Sequence, residues 1–195
     1  MPLLPELLAD RDLVLRGWRA SMVDQMLDAV GRSIVELEQW MPWARELPTR
    51  SQFEAVLRDG TASFDRDTEW NYAIFECASD ELVGSCGLHR FDDPSCPEIG
   101  YWIRSDRTHR GYATRAARAL VGAAFAHLGD VDRVKIRMDR ANTASAAVPA
   151  RLGFTLDHEE DREIVTSGHT GRGYVWILER RAWTAARAEH DPLTR

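Results

Sequence analysis

Arg104-Ser105-Asp106-Arg107-Thr108-His109-Arg110-Gly111-Tyr112-Ala113-Thr114-Arg115-Ala116-Ala117-Arg118 lies between a strand-like run, residues 98–103, and a long helical pattern that begins at Gly111. The first amide groups of a helix have no intrahelical acceptor, and the helix dipole places positive potential on them. A glycine at that point has no Cβ to hold a ligand away from the backbone. The stretch carries five arginines against one acid, Asp106, in a chain whose formal net charge is −6. Glycine, helix start and cation cluster coincide, which reads as an anion site of the kind that cradles a pyrophosphate. A solvated basic helix start is the plainer alternative.

Outward from that stretch, residues 98–103 follow two further strand-like segments, 69–77 and 82–91, with turns at Ser79-Asp80 and Asp93-Pro94, so the three are expected to form a meander. Downstream, apolar residues at Ala113, Ala117, Leu120, Val121, Ala124, Phe125 and Leu128 keep helical spacing up to Gly129. A strand over 133–138, a helix over 142–152 and two closing strands around the glycine-rich segment 167–173 complete that half. Upstream, residues 12–18 read as a short strand and 22–30 as a helix. Ser33-x-x-Glu36 reads as a capping box ahead of Ile34, Leu37, Trp40 and Met41, and Ser51-x-x-Glu54 as another. Pro42 ends the element before it. The chain beyond Thr184 is polar and is expected to fray.

The 195 residues fit one domain of mixed architecture with a substantial core. Net acidity argues against a nucleic-acid partner, which needs a broad basic surface. Cys77, Cys86 and Cys96 are odd in number and lack metal spacing, and the six histidines form no metal-binding pattern, so no metal is expected. No apolar run reaches the length of a membrane span, and Met1-Pro2-Leu3-Leu4-Pro5 lacks the features of a signal peptide. The cytoplasm is the expected location. The glycine cluster at 168–173 has no Lys-Ser/Thr ending, and Gly84-Ser85-Cys86-Gly87 is not a nucleophile elbow.

Thr108-His109-Arg110-Gly111-Tyr112-Ala113 resembles the acetyl-CoA pyrophosphate loop of the GNAT N-acetyltransferase superfamily, Q/R-x-x-G-x-G/A, with Thr in place of the first Gln or Arg. Glu98-Ile99-Gly100-Tyr101-Trp102-Ile103 together with Arg-Gly-Tyr-Ala-Thr is similar to the RimJ/RimL branch, which acetylates protein N-terminal amines. Asn142-Thr143-Ala144-Ser145 and the following Arg151-Leu152-Gly153-Phe154 match that branch's N-x-x-S and L-G-F segments. The resemblance spans about residues 10–182. It implies a single α/β GNAT domain over residues 1–195, with a mixed twisted sheet of six or seven strands flanked by helices and a frayed tail at 184–195. It implies a cofactor seated where two central parallel strands splay apart. Acetyl-CoA would then be held by Trp102, Ile103, Arg104, His109, Arg110, Gly111, Tyr112, Ala113, Thr114, Asn142 and Ser145.

Acetyl transfer to an amine needs a base for the amine, stabilisation of the carbonyl oxygen, a route for the departing thiolate and in-line positioning. An α-amine, with a pKa of about 8 against about 10.4 for lysine, needs only modest base assistance at neutral pH. Glu98 is the candidate base. It shares a strand face with Gly100, whose missing side chain leaves room for a ligand. The resemblance places it at the position of a glutamate that serves as base in several GNAT enzymes, with a water as the other proton route. Pairing with an arginine is the alternative for Glu98. Asn142 suits a helix N-cap, and the resemblance adds a contact with pantetheine. The tyrosine acid of many GNAT enzymes falls at Pro149 here, so Ser145 or a water is expected to serve the thiolate. Pro149 also leaves the Ser145 carbonyl without its helical N–H. Trp40 and Trp43, around Pro42, are expected to border the acceptor, and simple packing on the core is their alternative reading. The acceptor most in keeping with the branch is a protein α-amine. A small amine such as an antibiotic or polyamine, and a non-catalytic acyl-CoA-binding module, are the rivals. A homodimer is compatible with the sequence.

Overall fold

The structure is a computed structural model that describes residues 3–190. Its eight strands form one sheet: β1 Leu7–Asp10, β2 Leu13–Gly17, β3 Glu69–Glu76, β4 Glu81–His89, β5 Glu98–Ile103, β6 Arg133–Asp139, β7 Thr155–Asp161 and β8 Arg172–Glu179. They lie in the order β1-β2-β3-β4-β5-β6-β8-β7, and every neighbouring pair is antiparallel except β5 and β6. The sheet therefore has eight strands rather than six or seven. The extra one is β1, a four-residue edge strand with an exposed Leu7 at its start, too short to show a period. Its hairpin to β2 turns at Arg11, which takes a positive φ of 58°.

Helices cover both faces. The apolar stripe of α4 (Tyr112–His127) buries Ala116, Ala117, Leu120, Val121 and Ala124 against the side of the sheet that carries Leu13, Leu15, Trp70, Tyr72, Leu88 and Ile99. The small side chains let helix and sheet approach closely, while the leucines and valine fill the space between them. On the other face α1 (Val23–Gly31) and α3 (Arg50–Asp65) pack through Met26, Val30, Phe53 and Leu57 onto Ala73, Phe75 and Leu82. Between them α2 (Ile34–Leu37) is a single turn. The two expected capping boxes do not form. Ser33 makes no cap. Its Oγ instead accepts from the Ser105 amide at 2.9 Å, and the Glu36 carboxylate accepts from the Ser105 hydroxyl at 2.8 Å. The box of α3 is Thr49 with Gln52, two residues before the expected pair.

Three features position the site. β5 and β6 are parallel and in register at one residue pair, Glu98 with Lys135, after which they diverge. The loop after β5 turns directly into α4. The loop after β6 leads into α5 (Thr143–Arg151), which lies beside α4. At the C-terminal end, the expected frayed tail is replaced by α6 (Arg180–His190). The Arg180 guanidinium anchors it on the carbonyls of Leu128 (2.7 Å) and Val131 (3.0 Å from Nε). Residues 191–195 of that expected tail lie outside the described residues.

Candidate active site

Gly111 is the N-cap of α4 and sits in the left-handed region at φ 75°, and a Cβ built on it meets nothing within 4 Å. His109, two residues earlier, also has positive φ, at 61°. Alternating backbone handedness turns successive amides toward one concavity, an arrangement suited to anions. Among the described residues, no acceptor faces the amides of Gly111, Tyr112, Ala113 or Thr114. Open space over a glycine, a helix start and unpartnered donors thus coincide.

The arginines of this loop contribute less than their number suggests. Arg104 is buried; its Nε and Nη2 donate to Asp106 at 2.6 and 2.9 Å and its Nη1 to the Leu82 carbonyl. Arg107 pairs with Glu81, Arg115 with Asp12, and Arg118 with Asp10 at 2.6 Å. Arg110 is the least committed: it is half exposed and its nearest carboxylate, Glu76, is 4.0 Å away. The Glu76 carboxyl is held below its ordinary range by the Tyr112 hydroxyl, then by that of Ser79. The Tyr112 side chain therefore points to the sheet, and its amide faces the loop.

Across the splay, the Asn142 side chain caps α5 by accepting from the Ser145 amide at 3.0 Å. The Tyr101 hydroxyl, reaching from β5, lies 3.1 Å from the Ser145 carbonyl oxygen and 3.2 Å from its Oγ. The Ser145 carbonyl is thus not a free acceptor, as its missing helical partner had suggested. Burial pushes the Tyr101 phenol up to about 12, so it stays a donor at any working pH.

On the opposite face of the sheet, the Glu98 carboxylate accepts from Arg137 Nε at 2.6 Å, and Arg137 also approaches Asp92 and Glu160. Beyond it lies a largely apolar cavity of about 680 Å³ bounded by Trp18, Phe53, Val56, Trp43 and Trp102. The last two rings stand 6.3 Å apart.

The model of the acetyltransferase (GNAT) domain matches residues 12–155. The chain belongs to the GNAT family. YdaF of Bacillus subtilis (strain 168), provisionally named a ribosomal N-acetyltransferase, is 33% identical over 103 residues, which are 52% of this chain and 56% of YdaF. The chain thus matches little more than half the length of that relative. RimL, a ribosomal L7/L12 α-N-protein acetyltransferase solved with coenzyme A, superposes with a TM-score of 0.82 at 21% identity, covering 91% of this chain and 99% of that one. Mycobacterium smegmatis RimJ, solved with a CoA-disulfide, superposes with a TM-score of 0.80 at 19% identity, covering 95% and 97%. At those identities the two structures speak to the fold.

In this GNAT domain the expected site residues separate into groups. His109, Arg110, Gly111 and the amides of Tyr112, Ala113 and Thr114 gather at the loop, while Asn142 and Ser145 stand at the start of α5. Ile103 packs into the core on the α4 side, and Trp102 faces the other side beside Trp43. Arg104 is turned into the protein, where it braces the loop through Asp106. Trp40 and Trp43 part company. Trp43 lines the cavity. Trp40 is clamped below the β7–β8 loop, where a Cβ on Gly168 would come within 2.9 Å of its ring. Thr166 and Gly168 also bond the Gln39 carbonyl. Tyr101 was not among the expected residues, although its alternation with Gly100 placed it on the Ser145 side of the strand. Among the described residues no cluster of three or more His, Cys, Asp or Glu could hold a metal ion. Among the described residues no helix is long and apolar enough to cross a membrane.

Proposed function

We propose that this GNAT domain transfers the acetyl group of acetyl-CoA to a primary amine, foremost the α-amine of a protein. The observation that carries the reading is the alignment of two features along one cleft: the unpartnered amides of Gly111 to Thr114, and the β5–β6 splay bridged by Tyr101 and Ser145. The amides and Arg110 suit a pyrophosphate. The splay suits an extended pantetheine chain, with Asn142 and Ser145 along it. Ser145 Oγ, oriented by the Tyr101 hydroxyl, supports departure of the thiolate as charge grows on sulfur. The ribosomal-protein acetyltransferase named among the structural neighbours supports a protein acceptor, as does the RimJ/RimL pattern of the sequence.

The acceptor approaches from the opposite face, past Trp43 and Trp102. There Glu98, already bonded to Arg137, serves as fixed negative charge that draws in an ammonium group. Calorimetric titration with acetyl-CoA, followed by turnover with a panel of free-N-terminus peptides and small amines, tests the reading. Binding with turnover of peptides is the expected result. Binding without turnover of any amine leaves an acyl-CoA-binding module, and turnover of small amines alone moves the acceptor class.

A further inference from the structure

Cross-strand register lines up two rows on the acceptor face of the sheet. One is Glu69–His89–Glu98–Lys135, running from β3 through β4 and β5 to β6. The next is Asn71–Gly87–Gly100. The paired glycines make a bare floor beside the charged row, and it ends at the β5–β6 splay. Two polar tips overhang it. A Cβ on Gly87 would lie 2.5 Å from Asn71 Oδ1 and 2.7 Å from His89 Nε2. Over Gly100 there is room: the one heavy atom within 4 Å of a Cβ built there is His89 Nε2, at 3.9 Å. Asn71 is 8% exposed, and its side-chain amide has no hydrogen-bond partner among the described residues. The amide is not sealed from solvent, as the Nδ1 of His89 is, so its donor and acceptor are open to a ligand lying over the glycine floor.

We propose that the acceptor amine sits over Gly100, with His89 Nε2 as its proton acceptor and Asn71 as a hydrogen-bonding brace. The proposal rests on the acetyltransferase reading and deepens it. The tautomer follows from the surroundings. His89 Nδ1 is buried without a hydrogen-bond partner and lies 3.6 Å from the Glu69 carboxylate, which favours a proton on Nδ1 and leaves the Nε2 lone pair toward Gly100. The ring is held by stacking on Phe91 at 5.1 Å. Burial lowers the pKa of His89 against the opposing pull of Glu69 and Glu98, so the imidazole is neutral at pH 7. The other charged groups facing this row are Lys135 and Arg137 from β6, with Asp92 and Glu160 bound to them.

In the step, His89 Nε2 takes one proton from the incoming ammonium and later releases it to solvent. The freed nitrogen lone pair forms the N–C bond to the thioester carbonyl. The C–S bond breaks with its electron pair leaving on sulfur, and the second amine proton neutralises the thiolate by way of solvent. One ammonium and one thioester give one amide, one thiol and one released proton.

The test uses the full chain, acetyl-CoA and the peptide and small-amine panel. His89→Gln keeps a polar side chain but no usable base, so kcat/KM is expected to fall by about 10²–10⁴ at pH 7. The deficit should shrink toward pH 9 as the amine deprotonates in solution, with acetyl-CoA affinity within twofold of wild type by calorimetry. Gly100→Ala, filling the open spot, should raise KM for the amine and leave acetyl-CoA affinity unchanged, with circular dichroism confirming the fold. A His89→Gln enzyme with wild-type kcat/KM at pH 6.5 overturns the assignment while the acetyltransferase reading stands. A pH-independent deficit also overturns it, because a merely structural histidine would give that pattern. A wild-type chain that turns over no amine overturns both.

Discussion

The Tyr101 hydroxyl takes the place of the amide that Pro149 lacks: it lies 3.1 Å from the Ser145 carbonyl, four residues before the proline in α5. Proline inside a helix removes the i→i−4 donor and ordinarily leaves that carbonyl to water. Here a side chain from the neighbouring strand meets it, which ties the start of α5 to β5 across the splay. The same hydroxyl is within 3.2 Å of Ser145 Oγ, so the bond that repairs the helix also orients the proposed catalytic hydroxyl.

Tyr101→Phe should therefore lower stability by about 1–2 kcal/mol, the usual cost of stripping a partly buried acceptor of its partner. Adding Pro149→Ala restores an N–H at position 149 that can bond the Ser145 carbonyl. Thermal melts of the single and double variants measure the exchange: the double variant should recover most of the loss. If it recovers none, the phenol contributes to stability in another way.

Ser145→Ala keeps the backbone amide that Asn142 caps, so the start of α5 should stay folded. The expected change is a fall in kcat of about tenfold or more with KM for acetyl-CoA nearly unchanged, because the lost contact strengthens as charge develops on sulfur. A rise in KM with kcat preserved would make Ser145 a residue that only positions the pantetheine.

Gly111→Val places a β-branched residue at φ 75°, a conformation it resists by about 1–3 kcal/mol, and puts methyl groups where phosphate oxygens are expected. Acetyl-CoA affinity should fall more than tenfold by calorimetry while circular dichroism retains the native spectrum. Unchanged affinity in the folded variant would remove the loop from the proposed site.

Glu98→Gln removes one negative charge beside the acceptor path while its amide oxygen can still accept from Arg137, which keeps Asp92 and Glu160 as ionic neighbours. KM for the amine should rise several-fold with kcat held within about threefold, a smaller effect than the 10²–10⁴ expected of a lost base. A collapse of kcat itself at neutral pH would return the base role to Glu98.

The parts of the fold carried by local periodicity were legible in the sequence. β5, α4 and the N-cap at Asn142 all stand within a residue or so of where spacing and capping chemistry put them. What failed was whatever depended on partners far along the chain. Five arginines around Gly111 read as a cation cluster, but Asp10 and Asp12 from the β1–β2 hairpin and Glu81 from β4 pair with three of them. Ser33 and Glu36 have the spacing of a capping box, yet both bond Ser105, more than sixty residues away. Trp40 and Trp43 looked equivalent around Pro42 until the β7–β8 loop, bonded to Gln39, covered one of them. The Glu69–His89–Glu98 row exists only in cross-strand register, which a single strand's pattern does not contain.

That β7–β8 loop is held from below by Asp139, and its attachment should depend on acid. The buried carboxylate accepts from the amides of Ala141 (2.9 Å) and Thr170 (2.8 Å) and from the Thr170 hydroxyl (3.0 Å). Burial alone would raise its pKa, but these donors outweigh burial and the net shift is downward. A carboxyl with a lowered folded-state pKa contributes stability that is present above its unfolded value of about 3.9 and is lost as pH falls through the folded value. Asp139→Asn cannot accept as a charged group and should cost about 1–3 kcal/mol at pH 7. It should also flatten the dependence of Tm on pH below 4. Thr170→Val removes one donor but keeps the amide, so it should lose less stability and retain the acid sensitivity. Melting curves from pH 7 down to pH 3 on the three proteins measure this. Equal slopes below pH 4 in wild type and Asp139→Asn would mean that other carboxylates set the acid limit and that the loop is held chiefly by its bonds to Gln39.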